Sequence, residues 1–463
     1  MTRPPTALSA PGKVLLAGGY LVLDRDYTGL VFGLDARIHV HVQPLSTSPG
    51  VVLSEIIVRS PQFRDAEWRY GYRLAAESRG IDVTQLKGLS TSCLSRNPFI
   101  ETALTYALTY ISMMIPGVIE ASSITILADD DYYSQTASPG ARRERFINFH
   151  VPLQSAHKTG LGSSAALVTA FTAGLLAHYL PAEQFDLKTD KGRAILHNLA
   201  QAAHCAAQGK VGSGFDVAAA VYGSCRYRRF SPALLEGLGE IGSRGFSDRL
   251  KALVEDTEPA RKWDTEIIKA GINVPKGLRL TMCDVDCGSQ TVGMVKQVLA
   301  WRKEHPEEAN ALWSRLQEKN VELGKQLSTL GDATRRSDAD FDELKEVIAD
   351  IRSMMRQMSK ASGVPIEPQM QTELLDACSA LPGVIGGVVP GAGGYDAVAL
   401  LTVDQESVLG PLRKLLDEWK VSLWNEDGAV ANGSIGKVRA LGVREEMEGV
   451  RFEREDAYRS WIE

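Results

Sequence analysis

The chain reads as an α+β protein, and three observations carry that reading. Strand-type and helix-type segments follow one another without the regular βαβ alternation of a doubly wound parallel sheet. With 463 residues, 44% of them apolar and 23% charged, the chain is long and apolar enough for roughly two or three domains with full cores. No internal repeat and no low-complexity tract divides it into an array or a disordered tail.

Taken in order, Val14–Leu16, Tyr20–Leu23 and Ile38–Val42 are β-rich and punctuated by Gly18-Gly19, which predicts three strands. Helical spacing over Thr102–Ile115 stops at Pro116-Gly117, a breaker pair. Ile124–Leu127 reads as a strand, followed by Asp129-Asp130-Asp131 and a polar loop to about Arg145. The acidic triplet reads as a solvated loop in preference to a metal site. Ser163–Leu180 is rich in Ala and Leu with no proline before Pro181, so it is read as a helix. Lys191–Gln208 is a second, Phe215–Tyr222 a short third, and Cys225–Phe230 a strand that closes this region. Gly237–Gly245 is glycine-punctuated and makes a plausible junction, so the chain divides at 1–230 and 231–463. The second part offers a strand at Leu278–Val285, a helix from about Gln290 to Arg302, and long polar helices near 307–328 and 337–360. A helix at 368–380, strands Val384–Val389 and Ala397–Val403, a helix at 405–418 and a strand at 435–441 complete it.

Composition removes several function classes. A formal net charge of −6 argues against a protein that coats nucleic acid, so a site for an anionic substrate must gather its cations locally. The six cysteines stand at 93, 205, 225, 283, 287 and 378. Cys283 and Cys287 form a lone C-x3-C without the second pair or histidine that a zinc site needs. Reduced, buried thiols in a cytoplasmic protein are expected. Prolines and Lys13 interrupt what would be the apolar region of a leader. The weakly charged stretch Leu381–Val403 holds six glycines, two prolines and Asp396, so no spanning helix and no membrane partner is expected.

Four stretches can carry chemistry. In Lys158-Thr159-Gly160-Leu161-Gly162-Ser163-Ser164-Ala165-Ala166, the glycines let the backbone bend closely around a ligand as it enters a helix. Helix-start amides and the positive dipole end favour phosphate there, and the serine hydroxyls can reach phosphate or Mg²⁺. This is not a Walker A loop, because no Gly-Lys-Ser/Thr stands at the required spacing; a serine-capped helix with a flexible entry is the plainer alternative. In Gln208-Gly209-Lys210-Val211-Gly212-Ser213-Gly214-Phe215-Asp216, three glycines place Asp216 at the start of a short helix, as a catalytic carboxylate or as a cap. In Ser9-Ala10-Pro11-Gly12-Lys13-Val14, Lys13 enters an apolar strand, either poised at a site or as an ordinary strand-edge lysine. Val389-Pro390-Gly391-Ala392-Gly393-Gly394-Tyr395-Asp396 imitates G-x-G-x-x-G, but a strand follows it, so a Rossmann fingerprint fails and a turn backing onto a ligand fits better. Weaker features are Gly288-Ser289-Gln290-Thr291 ahead of a helix, a phosphate receiver or a plain cap. His197 and His204, seven apart on a helix, read as packing or surface residues.

Together these stretches resemble the GHMP kinase superfamily. PGKVLLAGGY is similar to its first motif, GLGSSAA to its second, phosphate-binding motif, and PGAGGYDAV to its third. AGGYLVLD, HKTGLGSSAA and GKVGSGFDVAAAVYGS followed by RYRRF look most like the eukaryotic phosphomevalonate kinases of that superfamily. The resemblance implies an N-terminal S5-like ATP-binding and catalytic domain over 1–230 and a ferredoxin-like C-terminal domain over 231–463. It implies transfer of the γ-phosphoryl of ATP to 5-phosphomevalonate, with mevalonate kinase chemistry or a non-catalytic nucleotide sensor as alternatives. By the same resemblance Gly160, Leu161, Gly162, Ser163, Ser164 and Ala165 cradle the ATP phosphates, with Ser163 or Ser164 reaching Mg²⁺. Asp216 takes the position of the catalytic aspartate, Lys13 that of the first-motif lysine, and Lys158 that of a lysine facing the phosphates. Ser213, Lys210, Ser289, Thr291, Gly393 and Gly394 are candidates for the acceptor. Mevalonate kinases place a metal-binding Glu on the helix before the aspartate, whereas no Asp or Glu occurs here between Asp190 and Asp216.

The acceptor's own chemistry bears on those roles. A phosphate monoester carries roughly −1.5 to −2 charges at neutral pH, so its attacking oxygen needs little deprotonation. Asp216 is therefore expected mainly to orient, and the cations Lys13, Lys158 and Lys210 to carry more of the barrier reduction.

Overall fold

A computed structural model describes residues 3–48, 51–86, 95–134, 145–286, 293–332, 341–421 and 435–462. The first body begins with long strands β1 (Thr6–Ala17) and β2 (Gly29–Pro44), then β3 (Glu55–Arg59), β4 (Glu67–Ala75) and β5 (Gly80–Gln85). Helix α1 (Pro98–Met114) and strand β6 (Ser122–Ala128) follow, then α2 (Ser163–Tyr179), α3 (Asp190–Gln208), α4 (Phe215–Tyr222) and β7 (Cys225–Arg228). Short α5 (Ala233–Glu236), α6 (Phe246–Val254) and β8 (Glu266–Ile268) lead out of it. The second body comprises β9 (Leu278–Asp286), α7 (Met294–Glu304), α8 (Pro306–Asp332), α9 (Asp342–Ser362), α10 (Gln369–Ser379), β10 (Val384–Val388), β11 (Ala397–Val403), α11 (Glu406–Glu418) and β12 (Lys437–Ala440). Two short strands, β13 (Glu445–Glu446) and β14 (Arg451–Phe452), return to the first sheet.

The first sheet runs β14-β1-β2-β6-β3-β4-β5, with β7 and β13 attached along β2 and β8 paired to the outer side of β7. Strands β1 and β2 are buried along nearly their whole length, because α2 and α4 cover them. Helix α2 is apolar on all sides, as a helix enclosed by its neighbours should be. It comes so near the sheet that a Cβ at Gly174 would stand 3.1 Å from Val40 and Val42. Helix α1 starts earlier than its periodicity suggests: Asn97 caps it by accepting from the Ile100 N–H at 3.3 Å, and Pro98 opens it, a standard helix start.

The second sheet has the order β10-β11-β9-β12, with every neighbouring pair antiparallel. Counted within that body, the strands run second-third-first-fourth in a βαββαβ sequence, which is the ferredoxin-like arrangement. The expected α+β fold and its two sheet types are both present. Among the described residues, no helix is long and apolar enough to cross a membrane.

Several expectations need correction. Leu21–Leu23 is a 3-10 turn rather than a strand, because Gly18 and Tyr20 take left-handed φ values of 98° and 64° and fold the chain back. The acidic triplet is not a solvated loop. Asp129 is 8% exposed; it accepts from the Arg37 backbone N–H and from Arg145 Nε, both at 2.8 Å, and lies 3.2 Å from His39 Nε2. Beyond position 230, β8 pairs with β7 and α6 packs on α1 and α3, so residues after the Cys225–Arg228 strand still belong to the first body. Cys205, Cys225, Cys283 and Cys378 are buried free thiols, while Cys93 and Cys287 lie outside the described residues.

Candidate functional site

The glycine turn sits between β1 and α2. Gly160 and Gly162 have φ of 76° and 81°, and Gly162 is the left-handed residue that opens α2 without a side-chain cap. The N–H groups of Ser163, Ser164 and Ala165 therefore begin the helix without intrahelical acceptors. The turn is fastened from below. The Lys13 backbone N–H donates to Leu161 O at 2.9 Å. Thr159 N–H donates to Tyr132 O at 3.2 Å, and its hydroxyl to Asp131 O at 2.6 Å. An antiparallel bridge joins Tyr133 to Lys158. Residues 131–133, from the end of the acidic triplet onward, thus hold the turn in place by their backbone.

Lys13 lies along the inner side of that turn. Its Nζ donates to Gly160 O at 3.4 Å and stands 5.6 Å from the centre of the Phe215 ring. A Cβ at Gly162 would come within 2.8 Å of Lys13 Cε, so only glycine leaves the lysine stem its path. Desolvation pulls the Lys13 ammonium below the usual lysine range, and the charge of Asp216 opposes that shift. Asp216 occupies the first turn of α4, where its Oδ1 accepts from the Val217 N–H at 3.0 Å. Structure therefore brings Lys13, Asp216 and the glycine turn together.

The loop ahead of Asp216 has its own anchor. Arg229 is 9% exposed; its Nη2 donates to Gly212 O at 2.7 Å and to Val211 O at 3.1 Å. Tyr227 donates its hydroxyl to Ser213 O at 2.7 Å. Among the expected acceptor residues, Ser213 is thus held by its carbonyl. Lys210 sits exposed at the end of α3, and its backbone N–H donates to Cys205 O. Among the described contacts its side chain meets neither Asp216 nor Lys13. Ser289 and Thr291 lie outside the described residues.

The third glycine turn braces the first motif. Gly391 N–H donates to Leu15 O at 3.3 Å, and Tyr20 donates its hydroxyl to Ala392 O at 2.6 Å. The amides of Gly393 and Gly394 are taken by Pro390 O and Ile366 O, so these glycines shape the turn and do not offer N–H groups to a ligand. Ala397, just beyond, stands 4.0 Å from where a Gly160 Cβ would lie.

A cavity of about 230 Å³ opens beside the turn. Lys158, Ser163 and Ser164 line it together with Trp68, Asn97 and Ile100. Its apolar half was not legible beforehand, because it is assembled from strands in the 55–75 region and from the first turn of α1. The Asn97-Pro98 pair was the available signal. His204, expected as a packing or surface residue, is instead buried between Ser164 and Asp216, 3.2 Å from the serine Oγ and 3.9 Å from the aspartate Oδ2.

Known proteins resemble the chain in the same region and over its whole length. Residues 132–224 match the family described as the GHMP kinases N terminal domain. The phosphomevalonate kinase ERG8 of Gibberella zeae is 53% identical, covering 100% of both chains. That of Aspergillus fumigatus is 50% identical over 99% of each. A Streptococcus pneumoniae phosphomevalonate kinase solved with phosphomevalonate and AMPPNP superposes with a TM-score of 0.55. It is 16% identical, and the match covers 94% of this chain and 99% of that one.

Proposed function

We propose, for a chain that belongs to the phosphomevalonate kinase family of GHMP kinases, that it transfers the γ-phosphoryl of ATP to 5-phosphomevalonate, releasing ADP and 5-diphosphomevalonate. One observation supports this most strongly. A turn of left-handed glycines sets the uncapped start of α2 at the wall of a cavity, while the Lys13 ammonium and the Asp216 carboxylate lie within electrostatic reach of each other beside the turn.

Each part has a task in this reaction. The apolar lining of the cavity, with Trp68 and Ile100, suits the base of the nucleotide. The amides of Ser163 to Ala165 suit its phosphates, through unpaired N–H groups and the helix dipole. Lys158 at the mouth adds a positive charge. An oxygen of the acceptor phosphate attacks the γ-phosphorus as the bond to the ADP oxygen breaks. Charge spreads over the transferred group, and Lys13 neutralises it from a partly dehydrated position, where an ammonium acts more strongly than in water. The acceptor oxygen is already largely ionised, so Asp216 orients the acceptor and Lys13 and is not required to remove a proton.

The donor set also fits Mg²⁺ arriving with ATP. Among the described residues no group of three or more His, Cys, Asp or Glu side chains could hold a metal. That agrees with an ion bound largely by phosphate oxygens and water. Ser163, Ser164 and Asp216 are the oxygen donors that would complete its shell, where the ion would neutralise β- and γ-phosphate charge. The buried free cysteines support a reducing compartment, in keeping with a cytoplasmic enzyme. A coupled ADP-release assay over mevalonate, phosphomevalonate, galactose and homoserine tests the proposal. Turnover with phosphomevalonate alone is the expected result, and turnover with mevalonate instead would reject it.

A further inference from the structure

We infer that His204 is a positioning residue for phosphoryl transfer, orienting the Ser164 hydroxyl and bracing Asp216 from the same imidazole. The helix position that lacks an acidic residue is not vacant of chemistry. His204, 2% exposed on α3, reaches both halves of the site: Nε2 lies 3.2 Å from Ser164 Oγ, and Nδ1 lies 3.9 Å from Asp216 Oδ2. Two further contacts fix the ring. Phe99, which lines the cavity, stacks on it at 5.7 Å between centroids with an interplanar angle of 30°. The Gln208 side-chain amide nitrogen stands 3.3 Å from Nε2.

In the inferred arrangement the ring proton sits on Nδ1, on the Asp216 side, and Nε2 is the acceptor, its single lone pair shared between the Ser164 hydroxyl and the Gln208 amide. The Ser164 hydroxyl then donates to Nε2. Its lone pairs are left for the cavity, where a cation accompanying the triphosphate can use them. The Nδ1–H points to the Asp216 side, where it opposes rotation of the carboxylate away from Lys13. Without this acceptor the serine hydrogen would be free to turn into the cavity and present the wrong polarity to a cation.

The inference rests on the kinase reading above, and turnover by the unmodified protein tests that reading separately. The test is a double-mutant cycle in the full chain, combining His204→Phe with Ser164→Ala, with single-site His204→Gln and His204→Asn alongside. His204→Phe keeps the stack on Phe99 but removes the acceptor, and kcat is expected to fall roughly 10- to 100-fold with KM for phosphomevalonate nearly unchanged. In the Ser164→Ala background the same change should cost only about twofold or less, because contacting residues couple. The Gln side chain reaches the Nε2 position and should recover activity that Asn, which reaches only the Nδ1 position, does not. An active unmodified protein in which His204→Phe costs the same factor in both backgrounds would overturn the inference. So would His204→Gln performing no better than His204→Asn. Should His204→Phe fail to fold, the comparison of His204→Gln with His204→Asn decides alone.

Discussion

Replacing Gly162 by alanine probes the contact on which the site's cation depends. Gly162 has a φ of 81°, and an L-residue held in the left-handed region costs about 1–2 kcal/mol. The new methyl would also stand 2.8 Å from Lys13 Cε and 3.0 Å from its Cγ. Carbon atoms rest at about 3.5–4.0 Å, so the lysine stem must retreat by roughly 0.7–1.2 Å. A displacement near 1 Å at a reacting group can cost about 100-fold in rate, and we expect kcat to fall roughly 30- to 100-fold. The assay is steady-state ADP release at saturating ATP and phosphomevalonate, with thermal unfolding measured in parallel. Gly363→Ala is the matched control, since Gly363 has a φ of 66° at the end of α9 with nothing within 4 Å of an added Cβ. It should show the backbone cost of about 1 kcal/mol in stability and no loss of kcat. If Gly162→Ala kept kcat within about twofold while losing the same stability as the control, the reasoning about Lys13 would be refuted.

Other perturbations follow from the same geometry. Lys13 must be protonated to act, and burial lowers its pKa while Asp216 raises it. The alkaline limb of kcat should therefore lie below the ordinary lysine range, and a pH–rate profile of Asp216→Asn should show it moved further down. Asp216→Asn should also lower kcat without a new acidic limb; a new one would mean that Asp216 removes a proton. Arg229→Met would leave the Val211 and Gly212 carbonyls without their donor. Loss of about 1–3 kcal/mol of stability is expected by denaturant titration, together with a raised KM for phosphomevalonate. Asn97→Ala removes the cap of α1 at the cavity wall, which should cost about 1 kcal/mol and raise KM for ATP but not for the acceptor.

The legibility of the fold followed the kind of information each segment carries. Helices α2 and α4 were readable because glycine entries and alanine-rich interiors are local signals, and their starts at Ser163 and Phe215 agree with those expected. The long helices α8 and α9 were readable from periodic apolar positions on an otherwise polar surface. Strands β3, β4 and β5 went unread because β3 and β5 are only five and six residues long, and the alternation of Glu67–Ala75 carries Arg69 and Arg73 on its exposed face. Strands β13 and β14 are two residues each and exist only through pairing with β1 and β2, which no local pattern reveals. At the site, the glycines, serines, Lys13 and Asp216 belong to compact stretches and could be found by inspection. Arg229 and His204 act through contacts formed between separate elements. Seven-residue spacing on a helix said nothing of the serine and aspartate that His204 would meet. Asp129 misled for the same reason, since three acidic residues look solvated until Arg37, His39 and Arg145 are seen around one of them.

The central claim is that the turn at Gly160–Ala165, Lys13 and Asp216 surround the group being transferred. A crystal structure of the protein with a non-hydrolysable ATP analogue and phosphomevalonate tests it most directly. The account predicts the triphosphate against the amides of Ser163 to Ala165, with the Lys13 ammonium and the acceptor phosphate meeting at its γ-end beside Asp216. A triphosphate bound away from that turn, or an acceptor phosphate on the far side of Asp216 from Lys13, would contradict it.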